Sequence, residues 1–174
     1  MDAALPLRAA PAAPALPPSF ETLFRTEYAR VAAIAQRIVR DADEAEDVAQ
    51  DVFVSFYRKH PADAGYAPAW LHAAAAHTAL NAIRSRERRG KRETARAREF
   101  DRGVDPQRAA EDVETRAEVR AALARMDERA ASLLALRYSG LSYDEIAAAL
   151  GLRKSSIGTL LSRAEDAFRK EVTR

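Results

Sequence analysis

The chain has no cysteine, one tryptophan, two methionines and six glycines in 174 residues. Without thiols there are neither disulfides nor thiolate zinc sites, a composition compatible with a reducing cytoplasm. No apolar run approaches the roughly 20 residues of a membrane span. No stretch alternates apolar and polar residues over strand length, which predicts an all-α fold. Catalytic signatures are equally scarce, with no G-x-S-x-G, phosphate loop or H-E-x-x-H. His72 and His77 are five apart, a poor helical ligand spacing, and His60 falls in a predicted loop. Asp43, Asp47 and Asp51 recur at four-residue steps, yet no second acidic or histidine set is spaced to complete a magnesium site. No enzyme is expected, and no metal or other cofactor.

What is present is charge, unevenly placed. The net charge is only +2. Residues 41–51 nevertheless hold six acids and no base, whereas residues 84–99 hold eight bases against three acids. Segments so different should face different partners. Residues 1–18 are rich in alanine and proline, and the five prolines break up any apolar core that a secretory signal would need. They are expected to form a disordered tail.

Apolar residues after the tail recur at three- and four-residue steps. Ser19 is the expected cap of a first helix carrying Phe20, Leu23, Phe24, Val31, Ile34 and Ile38. A second helix, capped by Asp43, turns Ala45, Val48, Ala49, Val52, Phe53, Phe56 and Tyr57 inward and leaves Glu46, Asp47, Gln50 and Asp51 outward. Residues 60–68, with two prolines and Gly65, read as a loop. Pro68 suits the first turn of a third helix that passes Trp70, Leu71, Ala74, Ala75, Thr78, Ala79 and Ile83 and runs on into the basic block. Periodicity dissolves over about residues 99–111, the best domain boundary, and resumes through Val119, Leu123 and Met126. A break near Asp127 precedes a helix with Leu133, Leu134, Leu136 and Tyr138, ended by Gly140. The expected division is a tail over 1–18, helical units over 19–92 and 112–174, and a linker over 93–111. Each unit is small enough, at about 60 to 75 residues, for an isolated core to be marginal.

The most informative stretch is LSYDEIAAALGLRKSSIGTLLSRA, residues 141–164. Ser142 can cap a helix while Glu145, three residues on, reaches back to the cap's own N–H. Gly151 stands where the chain must turn with positive φ. Ile146, Ala147 and Leu150 on the first helix face Ile157, Leu160 and Leu161 on a second that starts near Ser155. This spacing describes a DNA-binding helix-turn-helix; the plainer alternative is an αα-hairpin with glycine in its loop. The polar residues near the start of the second helix, Arg153, Lys154, Ser155, Ser156, Thr159 and Arg163, are placed to reach a major groove. Lys154 and Arg163 are better suited to phosphates than to bases.

Three segments together, DADEAEDVAQDVFVSFYRK from Asp41, AWLHAAAAHTALNAIRSRERR from Ala69 and ALARMDERAASLLALRYSGLSYDEIAAALGLRKSSIGTLLSRA from Ala122, resemble an extracytoplasmic-function (ECF) sigma factor of the bacterial sigma-70 family. The likeness extends from about Phe20 to Val172. It implies a cytoplasmic, nucleoid-associated promoter-recognition subunit with region 2 in the first unit and region 4 in the second. Core RNA polymerase would be the partner, through its β′ coiled coil and β flap. Glu46, Asp47, Gln50 and Asp51 would bind polymerase. Tyr66, His77, Asn81, Arg84, Arg88, Arg89 and Arg92 would hold minus-10 DNA, and the start of the last helix would read minus-35 DNA. An anti-sigma factor is a further partner of many relatives.

By chemistry alone, the arginine cluster can neutralise phosphates, or can serve as a solubilising face. Tyr66 offers an aromatic face to an unstacked base. The chain departs from the family pattern at Gly158 and Leu160, where cations are frequent, and at His77 and Asn81, where asparagine and aspartate are usual. Two rivals remain: a stand-alone helix-turn-helix regulator, which leaves the acidic helix unexplained, and a sigma-like protein that initiates weakly.

Overall fold

The computed structural model describes residues 16–97 and 107–173, with side chains described over 16–90 and 114–173. Within them run α1 (Pro18–Val39), α2 (Ala42–Lys59), α3 (Ala67–Ala97), α4 (Gln107–Arg125), α5 (Glu128–Tyr138), α6 (Tyr143–Leu150) and α7 (Lys154–Val172). No strand occurs among the described residues, and no helix there is long and apolar enough to cross a membrane. Residues 1–15 of the expected tail and 98–106 of the expected linker lie outside the described residues. The helices α3 and α4 each reach into the segment expected to be linker.

Helix ends show local chemistry overriding two of the expectations. The first helix starts at Pro18 with Pro17 as its cap position, so Ser19 lies inside the first turn. Proline's fixed φ pre-forms that turn and makes a side-chain cap unnecessary. The second helix is capped by Asp41, not Asp43: Asp41 Oδ1 accepts from the Glu44 N–H at 2.9 Å. This early restart is possible because Arg40 takes a left-handed conformation (φ 59°) and donates its N–H to the Gln36 carbonyl. The chain thus reverses within two residues, at a cost of about 1 kcal/mol for a non-glycine residue in that region.

Helices α1, α2 and α3 pack around Val31, Ile34, Ile38, Val52, Phe56, Leu71, Leu80 and Ile83, all buried. Ala75, Ala76 and Ala79 present little bulk, which lets α3 lie close against α1. Tyr57 corrects the expected inward face of α2, since it is 47% exposed and only edges onto Phe20 at 4.8 Å. One polar pair crosses this core: His72, 2% exposed, places Nε2 2.8 Å from Glu27 Oε2 on α1.

The second half packs α4, α5, α6 and α7 around Leu123, Leu133, Leu136, Leu141, Ile146, Ile157 and Leu161. Asp127 caps α5 by accepting from the N–H groups of Arg129 and Ala130. The two halves do not stand apart: α3 packs on α4, α5 and α6, and α1 touches α4 and α5. Two small units with marginal cores thereby cover apolar surface that each would otherwise expose.

Candidate nucleic-acid interface

The helix-turn-helix is built from its caps upward. Ser142 Oγ accepts from the Glu145 N–H at 3.3 Å, and Glu145 Oε2 accepts from the Ser142 N–H at 2.8 Å, closing the expected capping box. Gly151 ends α6 at φ 62°, and the next residue's N–H reaches the Ala147 carbonyl at 2.9 Å. Ile146 and Ile157 are fully buried between the two helices. The last helix begins at Lys154, one residue before the expected Ser155, with Arg153 at its cap position. Arg153, Lys154, Ser155, Thr159 and Arg163 are exposed and Ser156 is half-buried, so the residues expected to meet DNA share an open helix start. Lys154 Nζ pairs with Asp144 Oδ2 at 2.7 Å, but both side chains are mostly exposed, and such pairs are worth about 0 to 1 kcal/mol. A phosphate can displace one readily.

Gly158 and Leu160 acquire a packing role. Leu160 lies partly buried against the core, where a cation would be unwelcome. A Cβ added at Gly158 would meet the Tyr143 ring at 3.8 Å, so the ring lies beside α7 at that point. The Arg137 guanidinium sits over the other part of this arrangement, 5.4 Å from the Tyr143 ring centroid. Sequence reasoning missed both Tyr143 and Arg137 as surface features of this face. The available signal was an aromatic residue directly after the Ser142 cap, too exposed a position for a core residue.

On α2, Glu46, Asp47, Gln50 and Asp51 are all exposed, as expected. Val54 and Tyr57 continue that surface as exposed apolar side chains. Two acids of the same run are used internally, Asp41 as a cap and Glu44 in a pair with Arg86 Nη2 at 2.8 Å. The Glu44 contact is one of charge, since its Oε2 is buried without a well-aligned hydrogen bond.

The residues expected at minus-10 DNA divide. Tyr66 is 50% exposed on its loop, its hydroxyl 3.3 Å from His60 Nδ1. His60 in turn stacks on Phe56 and lies 4.7 Å from Trp70, so Trp70 is half-buried in an aromatic array with Tyr66 at its rim. His77, Asn81 and Arg84 share one face of α3, where Asn81 Nδ2 is 2.9 Å from His77 Nε2. His77 and Asn81 stay exposed there, but the polar atoms of the face are engaged. His77 Nδ1 lies 2.5 Å from Glu128 Oε1, and Arg84 donates to Glu128 Oε2 at 3.1 Å and to the carbonyls of Ala124 and Met126. The hydrogen bond from His77, then the His77 and Arg84 charges, hold the Glu128 carboxyl below its usual range. Arg88 and Arg89 are exposed farther along, with Arg88 bonded to Ser85 Oγ. The Arg92 side chain lies outside the described residues. Among the described residues, no group of three or more His, Asp or Glu side chains is arranged to hold a metal ion.

Comparison with known proteins covers both halves. Residues 23–89 match the family model for sigma-70 region 2, and residues 116–167 match that for sigma-70 region 4. The chain is 30% identical over 165 residues to RNA polymerase sigma-H factor of Pseudomonas aeruginosa, covering 87% of this chain and 85% of that protein. It is 29% identical over 159 residues to ECF RNA polymerase sigma factor SigE of Mycolicibacterium smegmatis, covering 87% of this chain and 61% of that protein. Among solved structures, CnrH in complex with the cytosolic domain of CnrY aligns with a TM-score of 0.53 at 21% identity, covering 87% of this chain and 85% of that one, a likeness of fold. A stand-alone regulator would account for the region 4 match but not for region 2. The chain belongs to the sigma-70 family, as an ECF sigma factor that directs promoter-specific transcription initiation by RNA polymerase.

Proposed function

We propose that the three surfaces divide the work of initiation. The exposed Glu46, Asp47, Gln50 and Asp51 of α2 dock on the β′ coiled coil of core polymerase, with Val54 and Tyr57 adding apolar contact. Tyr66, His77, Asn81, Arg84, Arg88, Arg89 and Arg92 hold the minus-10 strand. The start of α7, from Arg153 to Arg163, reads the minus-35 duplex, while the body of region 4 meets the β flap. Several desolvated carboxylates acting together supply both steering and register, which a single exposed pair would not.

The observation that carries this reading is the sorting of side chains on α2 and α7: most apolar residues turn inward, and exposed polar residues, acidic on α2 and including cations at the start of α7, stand on separate faces. An acidic face suits a basic protein surface, and a cationic helix start suits phosphates. The protein works in the cytoplasm on the nucleoid. An anti-sigma factor is its proposed regulator, supported by the similar CnrH structure, which was solved with the cytosolic domain of CnrY.

The test is reconstitution with purified core polymerase and run-off transcription from promoters located by start-site mapping. Specific initiation is the expected result. Failure to bind core at low salt would overturn the reading, however well the helix-turn-helix binds a duplex.

A further inference from the structure

Two adjoining cavities lie around the end of α1, and they differ in chemistry. The first, about 320 Å³, has an apolar wall of Val119, Leu123, Leu134, Ala135 and Phe168, drawn from α4, α5 and α7. The second, about 480 Å³, is lined largely by polar residues, Gln36, Arg37, Arg40, Asp41 and Arg116. Arg37 and Arg40 line both, so the two compartments meet at those side chains. Each volume falls within the roughly 300 to 1,000 Å³ of ordinary small-molecule sites.

The charges around this junction are unevenly committed. Among the described residues, no ion pair or hydrogen bond engages the guanidinium of Arg37, Arg40 or Arg116. The nearby acids are occupied: Asp41 caps α2, Glu165 accepts from the Tyr138 hydroxyl at 3.3 Å, and Asp166 pairs with Arg169. The backbone adds a second observation. Arg40 is the one non-glycine residue with positive φ among the described residues, a conformation that glycine adopts more cheaply. An arginine is nevertheless held there, half-buried, where the two compartments join.

Three uncommitted guanidiniums suit a phosphate, which they meet with charge-assisted hydrogen bonds. The apolar wall beside them suits a hydrocarbon chain and not a nucleobase. The Tyr138 hydroxyl and Glu165 already satisfy one another, so the polar edges of a base would be buried there without partners.

We propose that this junction binds a single-chain alkyl or acyl phosphate, with its chain in the apolar compartment and its phosphate among Arg37, Arg40 and Arg116. The occupant touches α1 of region 2 and α4, α5 and α7 of region 4, and it stabilises the folded chain by mass action.

Calorimetric titration of the full-length protein with decyl phosphate, kept below its micelle concentration, tests the site. Saturable one-to-one binding and a raised thermal midpoint are expected. Decanol and inorganic phosphate each carry half of the chemistry and should bind at least tenfold more weakly, as should AMP. Decanoate, with less charge, should bind at least threefold more weakly. Arg40→Gly keeps the left-handed turn, and combined with Arg37→Ala it should lower decyl phosphate affinity at least tenfold at unchanged helicity. Val119→Phe should lower it by a similar factor by filling the apolar compartment. Absence of saturable binding, or decanol binding as tightly, overturns the proposal. Full affinity in the arginine double variant marks an adventitious additive only, and full affinity in Val119→Phe takes the chain out of the apolar compartment; either overturns it. Equal or tighter binding of decanoate or of AMP overturns the assignment to an alkyl phosphate.

Discussion

The Tyr143 ring lies against Gly158, close enough that an added Cβ would meet it at 3.8 Å. That separation is ordinary van der Waals contact, so alanine fits. Gly158→Ala should stabilise the protein by about 0.5 to 1 kcal/mol through helix propensity, read as a higher urea midpoint at constant slope. Gly158→Lys should add a phosphate contact and steepen the salt dependence of minus-35 binding by about 0.9 in log–log slope. An unaltered slope would mean that position 158 does not face the duplex.

The helix-turn-helix depends on its two ends. Ser142→Ala should cost about 1 kcal/mol by removing the cap of α6. Gly151→Ala should cost about 1 to 2 kcal/mol, because φ of 62° brings a Cβ against the following carbonyl. Thermal unfolding of the full chain measures both, and a loss at Ser142 exceeding that at Gly151 would contradict the strain argument.

Reversing charge at Asp47 and Asp51 together should weaken core-polymerase binding at least tenfold while helicity stays unchanged. Both side chains are exposed and neither contributes to a cap, so folding has no stake in them. Competition binding against labelled wild-type protein reads the effect. Equal affinity would remove the α2 face from the interface.

Replacing Arg88, Arg89 and Arg92 by alanine should flatten the salt dependence of promoter binding, by about 0.7 to 0.9 in log–log slope for each phosphate no longer neutralised. Filter binding of the holoenzyme across a salt series decides it. The same slope in wild type and variant would mark this cluster as a solubilising face.

Hydrogen bonding from the Ser142 backbone, joined by the Ser142 side chain and the Arg30 charge, lowers the Glu145 carboxyl below its usual value of 4.5. A group whose folded pKa is depressed contributes stability above its unfolded pKa and loses it as pH falls through the folded value. Stability should therefore decline as pH drops below about 4.5. Glu145→Gln should soften that decline, as seen in denaturant midpoints measured from pH 6 downward. An identical acid limb in the variant would contradict the capping-box linkage.

The outline of the chain was legible where the determining physics is local. Apolar residues at helical spacing located α1 to α7, and Ser142, Glu145 and Gly151 located the turn because caps act within three or four residues. The same locality explains the misplaced cap: Asp41 and Asp43 are equally good capping residues, and only the left-handed turn at Arg40 selects the first. Tyr57 read as inward because its spacing matches Phe53 and Phe56, yet it meets the Phe20 ring edge-on and stays half exposed at the margin of the core.

By itself, the sequence determined an all-α chain with an acid-faced helix, a cationic block and a helix-turn-helix, since composition and periodicity report which face of each helix can be buried. Only the tertiary structure decided where those faces meet. Arg84 and Glu128 are 44 residues apart, and no short-range pattern pairs them. Their contact arises because two halves with small cores cover one another's apolar surface, bringing a cation of one onto the exposed carbonyls and carboxylate of the other.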